Sequence, residues 1–108
     1  MTYEISNHII EIGKNANDNW ELLESSQPND ILFHLDDKPS PYVIVTKCKK
    51  KNLSDLLISS AAKLCKLYSK YKDCDETMKV SYIKIKHTQK GNKLGQVTYL
   101  KKPEYINI

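Results

Sequence analysis

Arginine is absent from these 108 residues, and all 17 basic side chains are lysine. Only the guanidinium fork grips a phosphate or a guanine edge with two parallel bonds, so an anionic partner must be met by point charges. Glycine is scarce at 3 residues and proline at 4, which excludes collagen-like and low-complexity chains. With 40% apolar and 28% charged residues, the composition is that of one globular domain and not of a disordered segment. No apolar run nears the ~18 residues of a membrane span; the longest clean stretch is Tyr42-Val43-Ile44-Val45. Met1-Thr2-Tyr3-Glu4 carries an acid where a secretory leader has a basic region and an apolar block. The expectation is a cytoplasmic protein without membrane contact.

Cysteine is short as well. Cys48, Cys65 and Cys74 cannot all pair within one chain, and none has a CxxC spacing, so a disulfide framework and a cysteine zinc site both fall. All three read as reduced thiols, with Cys65 at an apolar helix position as a small core residue. The sequon Asn52-Leu53-Ser54 has no role in the cytosol. Catalytic patterns are missing too: there is no HExxH, GxSxG, Walker or GxGxxG string. His8, His34 and His87 are far apart, Cys65 has no evident base, and Asp36-Asp37 reads as a solvated turn pair. No enzyme, cofactor or metal is expected. A divergent enzyme would need a pocket converging on His34.

What is present is a lopsided charge. Residues 1–46 hold two lysines against eight acids, and residues 47–108 hold fifteen against five, within a formal net charge of +4. A basic half of this size points to a polyanion, nucleic acid before membrane.

His8 to Ile12 reads as a strand ended by Gly13. Asp18 to Ser25 has short helical character, capped by Asn17 or Asp18, with Trp20, Leu23 and Leu22 facing inward. Ile31–Leu35 and Tyr42–Thr46 are strands around a turn with two prolines. Leu53 to Lys72 is a long amphipathic helix, with Lys63, Lys66 and Lys70 on a separate stripe. Val80 to His87, Gln96 to Leu100 and Tyr105 to Ile108 are strands. The order predicts an α+β single domain, a mixed sheet of five to seven strands with one short and one long helix packed on it. The loop Lys90-Gly91-Asn92-Lys93-Leu94-Gly95 has two readings: a phosphate cradle flanked by Lys84 and Lys86, or a hairpin whose glycines supply positive φ.

The string also resembles a known family. Ile12-Gly13-Lys14-Asn15, Asn19, Leu22, Asp30-Ile31-Leu32-Phe33-His34-Leu35, Pro39 and Val43-Ile44-Val45 are similar to the first half of the NFACT-R domain, formerly a domain of unknown function. Ala61-Ala62-x-Leu64 with Tyr68-Ser69-Lys70, then Val80-x-Tyr82 and Gly91-x-Lys93-x-Gly95-x-Val97-x-Tyr99, resemble its second half. Leu32 replaces a favoured Trp, Ser40-Pro41-Tyr42 a Gly-Ser-His turn, and Ser81 an Asp. The loss of the turn His removes whatever depends on that side chain, although Tyr42 can still stack or donate.

The resemblance implies a stand-alone RNA-binding module, in a family tied to ribosome-associated quality control. Its expected ligand is structured RNA, ribosomal or transfer RNA, free or on the ribosome, with DNA less favoured. The expected contacts are Lys84, Lys86, Lys90 and Lys93, with Lys14 and Asn15 as a second contact if the Gly13 turn lies beside the glycine loop. Gly13, Asn19, Asp30, Phe33, His34, Gly91 and Gly95 are family-motif residues, binding or structural. The competing expectation is a protein-interaction domain in which the lysines serve solubility.

Overall fold

A computed structural model describes residues 1–46 and 53–108. Cys48 and Asn52 lie outside the described residues. The chain runs β1 (Thr2–Ile5), β2 (His8–Ile12), α1 (Ala16–Ser25), β3 (Ile31–Leu35), β4 (Val43–Thr46), α2 (Asp55–Leu67) and β5 (Lys79–Lys84). A turn of 3-10 helix (Ile85–His87), then β6 (Thr88–Lys90), β7 (Val97–Tyr99) and β8 (Glu104–Asn107), complete it.

Six strands form one sheet in the order β1-β2-β4-β3-β5-β8, and β6 and β7 form a separate hairpin. The α+β architecture and the two helices match the sequence reading. The sheet is not mixed: every pairing among the described residues is antiparallel.

β1, absent from the sequence reading, joins β2 through Ser6-Asn7, whose φ values of 51° and 65° suit a two-residue hairpin. The short helix starts earlier than predicted, because Asn15 caps it: its Oδ1 accepts the Asp18 N–H at 2.8 Å. Asp18 in return accepts the Lys14 N–H at 2.8 Å. The long helix is shorter than predicted. Ser54 caps it, accepting the Leu57 N–H at 3.2 Å, and it ends at Leu67. Tyr68 to Lys72 are turns, where Ser69 Oγ donates to Lys66 O at 2.7 Å and accepts the Tyr71 N–H at 3.1 Å. The predicted strand Val80–His87 stops at Lys84. There the Ile85 and Lys86 amides turn away to Asp30 O and Pro28 O, at 2.8 and 3.0 Å, so the alternation cannot run through to His87.

Strand alternation gives the sheet two covered faces. Ile10, Ile12, Phe33, Leu35, Val43, Val45 and Val80 are buried under α2, against Leu57, Ala61, Ala62 and Cys65. The thiol of Cys65 is fully buried and burial pushes its pKa far up, so it acts as a core residue as expected. The opposite face buries Leu32, Tyr42 and Ile44 under Leu23 and Trp20 of α1 and Val97 and Tyr99 of β7. Among the described residues no helix is long and apolar enough to cross a membrane.

Candidate nucleic-acid interface

The buried side chains of the second face are held by polar bonds, those of the first by apolar contact. Tyr42 is fully buried, and its hydroxyl donates to Gly95 O at 2.7 Å. Burial pushes the phenol well up, so it stays protonated and keeps donating. Trp20 Nε1 donates to Gln96 O at 3.0 Å, and the Ser81 and Tyr99 hydroxyls bond at 2.7 Å. These bonds fasten the β6–β7 hairpin to the sheet. They bring its glycine loop beside the Gly13 turn, the arrangement on which the second contact was conditional.

The glycines have specific tasks. Gly13 is buried, and a Cβ there would lie 1.9 Å from Asn19 Oδ1, the atom that accepts the Tyr42 N–H at 3.1 Å. Only glycine lets the Asn19 amide reach that position. Gly95 has φ of +82°, and a Cβ there would lie 2.6 Å from Ala16 Cβ, so it combines a left-handed turn with close approach to α1. Gly91 packs against the Gln96 side chain, whose Oε1 accepts the Asn92 and Lys93 amides at 3.1 and 3.2 Å. The Gly91 amide itself donates to Gln96 O at 2.7 Å. The amides of residues 91–93 are therefore engaged internally, and the loop is a closed hairpin, not an open phosphate cradle.

Other motif residues are also structural. Asp30 is buried, accepts the Gln27 N–H at 2.9 Å and offers its carbonyl to Ile85. Phe33 is fully buried and stacks on Tyr82, with centroids 5.1 Å apart. Tyr82 is thus half-buried in the core rather than presented for stacking. His34 sits opposite Ser81 on the second face, edge-on to the Tyr42 ring at 5.7 Å. Burial holds its imidazole below the ordinary 6.5, against the opposing pull of the Leu35 backbone and the Asp36 carboxylate.

The lysines do not form one cluster. Lys84 ends β5 opposite Ile31, and Lys86 lies in the 3-10 turn. Together with Lys101 they act on His87, whose imidazole is held low by partial burial and then by the charges of Lys101, Lys86 and Lys84. Lys90 belongs elsewhere: its Nζ pairs with Glu24 and lies 4.8 Å from the Trp20 ring centroid. It is the one ion-paired lysine among the described residues. Lys93 is exposed in the loop. Lys14 and Asn15 lie with Gly13, Asn19, His34 and Gly95 along a cleft at the other end of β3. Lys101 was not among the expected contacts. Its only signal was the doublet Lys101-Lys102 ahead of Pro103.

A six-stranded antiparallel sheet, with a helix on one face and a helix and a polar-bonded hairpin on the other, defines a small α+β module with uncompensated lysines at one end. The sequence matches the family model of the NFACT protein RNA-binding domain over residues 1–102, and the chain belongs to that family. That family is an RNA-binding domain and not a catalytic one. Among solved structures, the C-terminal part of the fibronectin/fibrinogen-binding protein from Streptococcus suis is similar to this chain at 28% identity and a TM-score of 0.86. The match covers 99% of this chain and 43% of that one, so the present chain spans less than half the solved length. Comparison with curated proteins gave no match.

Proposed function

We propose that this domain binds structured RNA, ribosomal or transfer RNA, through its phosphate backbone, with Lys84, Lys86 and Lys101 as the principal contacts. One observation carries the reading. Three exposed lysines each act through their charge on His87, and no carboxylate lies within 4.0 Å of any of them among the described residues. Like charges gathered this way repel one another, and a row of phosphates relieves the repulsion while releasing counterions. Point-charge ammoniums carry little base discrimination, which suits recognition of backbone and A-form shape. Lys93 and Lys14 extend the contact, with Asn15 beside them. Lys90 contributes less, because Glu24 already meets its charge. A role on the ribosome fits an RNA held by shape.

Fluorescence anisotropy against transfer RNA, ribosomal RNA fragments and duplex DNA across a salt series tests this. Binding to RNA over DNA is expected, with log K falling by about 0.7–0.9 per phosphate contacted for each tenfold rise in salt. No binding near 50 mM salt would sink the proposal. A second reading, a protein-docking module, draws on the printed name of the Streptococcus suis relative, a fibronectin/fibrinogen-binding protein. Substituting Lys84→Glu and Lys86→Glu separates the two, since RNA binding should collapse while capture of a protein ligand such as fibronectin should survive.

A further inference from the structure

An open cleft of about 430 Å³ lies at the far end of β3 from His87, within the size range of sites that hold small ligands. It forms where the Gly13–Ala16 turn, the Pro39–Pro41 turn, the Tyr68–Lys70 turn after α2 and the Leu94-Gly95 loop tip meet. We propose that it binds one nucleoside monophosphate unit, with Lys14 and Lys70 meeting the phosphate and His34 and Tyr68 meeting the base.

Charge argues for the anion. Among the described residues no acid lines the cleft, although the chain carries 13, and the two charged residues that do line it are both lysines. Both are exposed and neither is ion-paired among the described residues. The nearest acids are turned to other tasks. Asp18 accepts the Lys14 amide, and Asp36, whose charge reaches His34, stands off the lining.

Ring chemistry argues for the base. His34 and Tyr68 are the two rings of the lining, and both are fixed. His34 rests edge-on against Tyr42, and the Tyr68 hydroxyl is bonded to that of Tyr3. Fixed rings offer stacking surface without an ordering cost, and stacking is tolerant of base identity. The backbone of Leu35 and Ser40 hydrogen-bonds the His34 imidazole, which sets the plane of the ring and leaves stacking as its means of meeting a base. Pro39, Pro41 and Leu94 supply apolar walls. None of the lysines around His87 enters this cleft. Two sources supply such a unit, a residue of an RNA chain or a free mononucleotide, and only the first rests on the RNA reading above.

The test is an amide NMR titration of the full chain with AMP and UMP, using adenosine and uridine as phosphate-free controls. Shifts should centre on Ala16, His34, Ser69 and Gly95, and the nucleosides should bind at least tenfold more weakly. Lys14→Glu with Lys70→Glu, both at exposed positions, should weaken AMP at least tenfold with the fold intact, whereas Lys84→Glu with Lys86→Glu should leave AMP binding unchanged. Displacement of AMP by saturating RNA would assign the unit to an RNA chain, and simultaneous occupancy would assign it to a free nucleotide. Mononucleotide shifts confined to His87, or none at millimolar ligand while RNA still binds, would overturn the cleft proposal and leave the RNA reading standing. Cleft binding without any RNA binding would do the reverse.

Discussion

The two faces of the sheet are built by different rules. Under α2 the buried contacts are apolar: Phe33, Leu35, Val43 and Val80 against Leu57, Ala61 and Cys65, with a polar bond such as that of Tyr3 to Tyr68 only at the exposed margin. Under α1 and the hairpin the large residues are Trp20, Tyr42 and Tyr99, each with a polar atom bonded to its neighbour across the layer. The first face carries the stability of the domain. The second positions groups, because directional bonds fix where Gly95, Gln96 and hence the loop stand relative to Gly13 and His34. Both candidate binding regions, the lysines around His87 and the cleft at His34, border the second face.

Breaking the first face should cost most. Phe33→Ala is expected to lower unfolding free energy by about 3–5 kcal/mol, read from denaturant midpoints. For a domain of this size that threatens the fold itself. Gly13→Ala should cost less, about 1–3 kcal/mol, because moving the Asn19 amide leaves the buried Tyr42 N–H without its acceptor. Tyr42→Phe should cost only about 1 kcal/mol and act locally. Faster hydrogen exchange confined to residues 88–99 is the expected sign, and uniform loosening of both faces would erase the distinction between them.

Lysine substitutions sharpen the contrast on the binding side. Lys84→Glu with Lys86→Glu should reduce the RNA salt slope by about one unit per lysine. Lys90→Glu should change it less, since Glu24 already neutralises that ammonium. The smallest effect concerns pH. The folded His34 pKa lies below the ordinary 6.5, so the unfolded chain takes up the proton first as pH falls. Stability from this site is complete above that ordinary value and is lost as pH falls through the folded value. His34→Gln should flatten the melting temperature between about pH 7 and pH 5.

Much of this framework was legible in the sequence. Alternation and β-branching marked β2, β3 and β4, helical spacing marked α2, and the family blocks marked the domain. The errors share a cause. Tyr68 closes the helix with its last i→i−4 bond, and Tyr71 keeps helical spacing beyond it, where a Ser69 side-chain bond sets the turn instead of the ladder. Val80 to His87 alternates beyond Lys84, because the amides of Ile85 and Lys86 are claimed by carbonyls more than fifty residues earlier. The same distance hid the charge pattern. Lys90 and Lys93 look equivalent in the chain, yet Glu24, 66 residues away, pairs with one and not the other. Local signals located the strands, while nonlocal pairing decided which lysines remain free.

The most direct test of the central claim is the titration of His87, followed by NMR with and without bound RNA. In the free domain the imidazole is held below 6.5, partly by Lys101, Lys86 and Lys84. Phosphates seated on those lysines should raise its pKa, and RNA should then bind more tightly as pH falls through the titration. An unchanged His87 pKa in a domain saturated with RNA would place the phosphates elsewhere and contradict the account.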